Sequence, residues 1–175
     1  GGGVVRSGES SFKTTFKNAK YWSNRDHWNW ATDPNKREGA SFLKENILPI
    51  KESGQLHYLE KDGHNYLTKS DLGFYVLFVD GHTEKQMIPI VSYKGQKIAF
   101  SADLIPTSGH IPLPYIMSYD IRPLVSMKEK ELFLNFCYEN NLFLFFEHDA
   151  NVELCSFKKT DRGIQLNEKL TILDL

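Results

Sequence analysis

The chain has 175 residues, 41% of them hydrophobic and 25% charged, with 21 Lys and Arg set against 22 Asp and Glu. That length suffices for one domain with a core, and the charge balance excludes the broad basic surface used to bind nucleic acid or anionic membrane. No apolar run approaches the ~20 residues needed to cross a bilayer, and the N-terminus does not read as a signal peptide.

The opening Gly-Gly-Gly-Val-Val has no initiator Met and no cap. A triple glycine belongs where the backbone turns tightly between two elements, so the chain reads as though it begins within a domain. Residues 12–32 combine a short extended piece with a helix, for which Ser23 is the expected cap, with Asp26 three residues on. Trp22, Trp28 and Trp30 concentrate there, as packing residues or as a wall over a pocket together with His27. A second helix is expected across residues 37–48, with Phe42, Leu43 and Ile47 on one face and Pro49 as the stop.

Beyond residue 55 the pattern changes. Residues 55–60, 74–79, 87–93 and 97–102 are short strand-like runs separated by Asp-Gly or Lys-Gly turns, and Tyr93-Lys94-Gly95-Gln96 reads as a hairpin tip. Residues 105–125 hold four prolines and are expected to form a long ordered loop, a kind of segment that is usually functional. A helix follows, capped by Ser126 with Glu129 completing a capping box, and with Leu132, Phe133, Phe136 and Cys137 facing inward. Residues 142–147 form an apolar strand, and residues 152–158 and 164–166 close with a hairpin through residues 160–163. Cys137 and Cys155 lie in apolar surroundings without metal-type spacing, which reads as two reduced core residues of a cytoplasmic protein.

Three strand-like runs finish on side chains able to bind a metal: His82, Asp103 and His148. Imidazole and carboxylate suit borderline and hard divalent ions, and strand ends hold such groups on rigid elements. Each alone has an ordinary explanation, as a hydrogen-bonded histidine or a turn aspartate. Their equivalent placement points to a shared site.

The order Gly81-His82-Thr83, a hairpin, Ser101-Ala102-Asp103, a helix, then Glu147-His148-Asp149 resembles the C-terminal half of metallo-β-lactamase-fold hydrolases. The resemblance covers roughly residues 72–160; the Trp-rich and Pro-rich segments are similar to the lactonase-like and organophosphate-hydrolase-like branch. It implies an α/β fold, the C-terminal portion of an αββα sandwich with a mixed, largely antiparallel sheet and flanking helices, over a single domain of residues 1–175. It also implies two zinc ions per complete site, other divalent metals being acceptable. His82 would bind the first metal, Asp103 would bridge both, and His148 would bind the second. The implied catalytic set is Asp103, His110 and Tyr119; His110, Tyr115 and Tyr119 on the Pro-rich loop would face the substrate, the alternative being a loop packed by its own aromatic side chains, and Asp149 would support the adjacent ligand.

This sequence departs from the family's pattern in two ways. The signature His-x-His-x-Asp-His is missing, since none of the six histidines (His27, His57, His64, His82, His110, His148) are spaced to form it. A glycine-rich turn tends to follow that signature, so the chain reads as a member cut just after it. In addition, Glu84-Lys85-Gln86 stands where Pro-Gly-His is usual. The expected function is a dinuclear hydrolase of lactones, esters or phosphoesters, with this chain alone inactive and a poor zinc binder; apolar sheet edges left open would invite homodimers. The alternative is a non-catalytic relative used for binding or dimerisation.

Overall fold

A computed structural model describes residues 2–62 and 67–175; Gly1 of the glycine run and His64 lie outside them. The chain divides into two compact units, residues 1–61 and 62–175.

In the first unit, β1 (Val4–Arg6) pairs antiparallel with β2 (Phe12–Thr14). β3 (Tyr21–Ser23) leads into α1 (Arg25–Thr32), and α2 (Lys44–Glu52) precedes β4 (Leu56–Tyr58), which pairs parallel with β3. Gln55 fastens the unit: its amide donates to the carbonyls of Phe16, Lys17 and Ala19, and its oxygen accepts from the Thr14 hydroxyl at 2.6 Å. Both helices start later than expected. Ser23 is committed to the β3–β4 ladder, so Asn24 caps α1 and accepts from the His27 N–H at 2.8 Å. The Asn35 side chain accepts from the Arg37 and Glu38 N–H groups, closing a turn that competes with helix over the expected 37–48 span. The second helix therefore forms further on and carries Pro49 inside it, giving up one backbone hydrogen bond. The tryptophans pack within this unit: Trp28 is buried, Trp30 donates to Glu38 at 2.8 Å, and Trp22 stacks on His57.

The second unit is built on one seven-stranded sheet. Its strands are β5 (Leu67–Lys69), β6 (Tyr75–Val79), β7 (Gln86–Tyr93), β8 (Gln96–Phe100), β9 (Phe143–Phe145), β10 (Leu154–Thr160) and β11 (Gly163–Leu170). They lie side by side in chain order, every pair antiparallel except β8–β9. A parallel pair needs a long crossover, here the Pro-rich loop and α3 (Pro123–Glu139). The β7–β8 hairpin turns as expected at Lys94 (φ 48°) and Gly95 (φ 81°), two left-handed residues that match the twist of the flanking strands.

Helix α3 lays Phe133, Leu134 and Cys137 onto Leu77, Ile88, Ala99 and Leu144 of the sheet. A fully buried Phe133 contributes roughly 1.5–3 kcal/mol by removal of apolar surface from water. Leu132, expected inside, is exposed. The helix begins three residues earlier than Ser126, because Pro123 fits its first turn, where no backbone N–H is required. Glu129 makes no capping box; it is spent on a distant contact described below.

Candidate metal centre

Strand direction explains the meeting of the three expected ligands. β6 and β8 both run antiparallel to β7, and β9 runs parallel to β8, so β6, β8 and β9 end at the same edge of the sheet. His82, Asp103 and His148 each lie three positions beyond the last residue of these strands (Val79, Phe100 and Phe145). In the ladder Phe100 faces Phe145, and Ser101, fully buried, donates from both N–H and hydroxyl to the Phe145 carbonyl at 3.0 Å. Ala102 then takes φ 43°, a left-handed turn that is uncommon for a residue with a side chain. The chain folds sharply there, and Asp103 follows.

Asp103 presents its two oxygens to two different imidazoles: Oδ1 lies 3.2 Å from His148 Nε2 and Oδ2 lies 3.5 Å from His82 Nε2. Two donors sharing one ion at about 2.1 Å stand roughly 3–3.5 Å apart, so each contact suits a shared cation and the carboxylate is placed to bridge a pair. The Gln86 amide also donates to Oδ2, at 3.3 Å, and so touches the same carboxylate. Glu147, exposed beside His148, joins this side: one ligand atom from each of Asp103, Glu147 and His148 lies within 4.8 Å of the other two.

The His82 turn is clamped by α3 and the residues before it. Glu129 accepts from the Asp80 and Gly81 N–H groups at 2.8 and 2.9 Å, and burial raises its carboxyl above the ordinary range despite those bonds. Arg122 donates its backbone N–H to the Gly81 carbonyl and its guanidinium to the Asp80 carbonyl and the Glu84 carboxylate. A Cβ on Gly81 would stand 2.3 Å from the Ser126 backbone nitrogen, so only glycine fits where the turn meets the helix.

Asp120, buried in the Pro-rich loop, lies 2.9 Å from His82 Nδ1. A proton on Nδ1 directed at that carboxylate leaves Nε2 with its lone pair toward Asp103, the form a metal requires. The sequence reading passed over Asp120, since an aspartate among prolines carries no local mark of its partner.

The loop is held in place by a buried ammonium. Lys130, 0% exposed, donates to the carbonyls of His110, Pro112 and Tyr115 at 3.0, 3.0 and 2.8 Å, using all three of its protons. Burial pulls its pKa down to about 8, opposed by the Asp120 carboxylate. His110 is bound through Nδ1 to the Thr107 hydroxyl at 2.7 Å, and burial with the nearby Lys130 charge lowers its pKa. Tyr119 sets its ring edge-on against His82 with centroids 5.6 Å apart; burial first, then the Asp103 and Asp120 charges, raise its pKa. Tyr115 is exposed. Asp149 engages the loop and its own turn: it accepts from the Ser108 N–H and hydroxyl and from the Asn151 and Val152 N–H groups, and against the opposing effect of burial these bonds together bring its carboxyl down to about 2. Both cysteines are buried free thiols, and burial raises both, Cys155 to about 12.

No protein-family model and no curated protein matches the chain, but solved structures do. A probable metal-dependent hydrolase from Staphylococcus aureus superposes with a TM-score of 0.73 at 23% identity, over 91% of this chain and 56% of its own. AidC, a dizinc quorum-quenching lactonase in complex with a product, N-hexnoyl-L-homoserine, gives 0.71 at 17% identity over 91% and 58%. The hydrolase AbOPH of the beta lactamase superfamily gives 0.68 at 19% over 90% and 57%. The likeness shows the metallo-β-lactamase fold, and this chain spans somewhat more than half the length of these three structures.

Proposed function

We propose that the chain supplies one side of a dinuclear metal site in a hydrolase of this fold, with zinc the leading metal and a lactone, ester or phosphoester as substrate. The carrying observation is the single carboxylate of Asp103 shared between His82 and His148. A pair of divalent ions, when bound, supplies Lewis acidity for a polarised substrate oxygen and lowers the pKa of water. Asp103 would offer one carboxylate oxygen to each ion, while His82, oriented by Asp120, and His148 would each present an imidazole to one of them. Tyr119, whose phenol is held further from ionisation by burial and the Asp103 and Asp120 charges, donates a hydrogen bond to charge developing on the substrate oxygen. His110, whose imidazole is held toward the neutral form by burial and the Lys130 charge, is a second donor on the same loop.

The apolar loop residues Ile116 and Met117, with Tyr115, favour acyl lactones or aryl esters over sugars, and the product bound by AidC agrees with that preference. On the His82 side the described residues offer an ion only one imidazole and one carboxylate oxygen, so the chain by itself does not hydrolyse. Buried reduced thiols support a cytoplasmic setting. Among the described residues no helix is long and apolar enough to cross a membrane. The partner is a small molecule, with neither nucleic acid nor membrane involved, and the open strand β11 allows homodimers.

The gene product as its host makes it, loaded with zinc, tests the reading against an acyl lactone, an aryl ester and a phosphotriester. Metal-dependent turnover of one of them, reduced at least about 100-fold by Asp103→Asn, is expected. Turnover unchanged in that variant would overturn the assignment, and no turnover of any substrate class would favour a binding role.

A further inference from the structure

We infer that Glu147 is a metal ligand, and that Asp103, Glu147 and His148 form a three-donor site that holds one divalent cation on this chain without His82. The inference rests on the metal reading of Asp103 and His148, but not on catalysis and not on a second ion.

Three protein donors on one ion are what an open zinc site uses. Two carboxylates and an imidazole form a donor set that zinc, cobalt, manganese and iron all accept. The three ligand atoms already lie within 4.8 Å of one another, and the His148–Asp103 contact of 3.2 Å has the separation of two donors on a common ion. Two carboxylate charges match a divalent cation. Glu147 and His148 are exposed, so an ion can reach them and binding does not require removing either side chain from its packing.

The backbone around these two residues is fixed on both sides. The Phe146 N–H donates to the Glu153 carbonyl at 3.0 Å, the His148 N–H donates to the Pro106 carbonyl at 3.2 Å, and Asp149 closes the following turn. Such anchoring leaves side-chain rotation as the main adjustment needed to close the site. The His82 side is poorer. There Oδ2 of Asp103 already accepts from the Gln86 amide, and Asp120 faces the other ring nitrogen of His82, so the described residues form no three-donor cluster on that side. The first ion to bind therefore takes the Glu147–His148 side.

Calorimetric titration of the 175-residue chain with Zn2+, together with the visible spectrum of the Co2+ form, tests this. One ion per chain is expected, with affinity lowered at least about tenfold by Glu147→Gln and by His148→Ala, and within about twofold of wild type in His57→Ala, a histidine of the first unit. Glu147→Gln is isosteric at an exposed position, so circular dichroism should show an unchanged fold, and its Co2+ bands should shift with the altered donor set. Binding that ignores Glu147→Gln would overturn the inference; if His82→Ala and His148→Ala then both weaken it, the shared-carboxylate reading still stands. Absence of binding to the wild-type chain overturns the inference as well. Binding indifferent to Asp103→Asn and His148→Ala would remove both readings together.

Discussion

At the scale of single residues, the positions that matter most are defined by what they touch rather than by their type. Gly81 meets the Ser126 backbone so closely that Gly81→Ala forces the His82 turn and α3 apart; a loss of about 3 kcal/mol is expected, read from urea denaturation midpoints. Lys130 carries a different signature. Its folded pKa of about 8 lies below its ordinary 10.5, so between those values the unfolded chain binds more protons and stability rises with pH. The rise from this group is at most about 3 kcal/mol. Lys130→Met should be less stable near neutrality, because three carbonyls lose their donor, and should lack that increment; the difference in unfolding free energy between the two proteins, followed from pH 7.5 to 10.5, isolates it. A difference that stays flat across the window would contradict the burial of a charged lysine. The contacts of Asp120 and Lys130 were not legible, since their partners lie far away in sequence, whereas the meeting of His82, Asp103 and His148 was legible because an apolar run announces the strand that carries each.

At the scale of elements, β4, β6 to β10 and the β7–β8 and β10–β11 hairpins follow from apolar runs and turn residues and lie within a few residues of expectation, whereas β1 and β5 were not expected. The helices were harder to read. Pro49 resembles a stop yet lies within α2, because the Asn35 turn occupies the space upstream. Ser126 and Glu129 have the spacing of a capping box, but Glu129 is used to clamp Asp80 and Gly81. In both cases a tertiary or side-chain contact outcompetes a local signal. Asp149 shows how one residue can hold an element: its four accepted hydrogen bonds tie the Pro-rich loop to the turn after β9. Asp149→Ala should cost on the order of 2–3 kcal/mol and speed amide exchange at Ser108 and Val152. Unchanged exchange at Ser108 would show that Lys130 alone holds the loop.

At the scale of the whole molecule, a cation bound only by the folded chain stabilises it by mass action. At a hundredfold excess over its dissociation constant Zn2+ should add about 2.7 kcal/mol, which for a chain of this size raises the melting temperature by roughly 5–10 °C; EDTA should reverse the shift, and a melting curve indifferent to both would argue against any ion site here. The parallel β8–β9 pairing has a further consequence, in the order of assembly. The β5–β8 meander uses only neighbouring segments and can form as soon as it has been synthesised, whereas β9 must wait until the Pro-rich loop and α3 have been made and have crossed over. Pairing across so long a stretch is intrinsically slow, and until it happens β8 keeps a bare edge open to other chains. Asp103 and His148 meet only when that edge is closed, so metal capture should report completion of folding, and nascent chains ending before β9 should be the ones most dependent on chaperones.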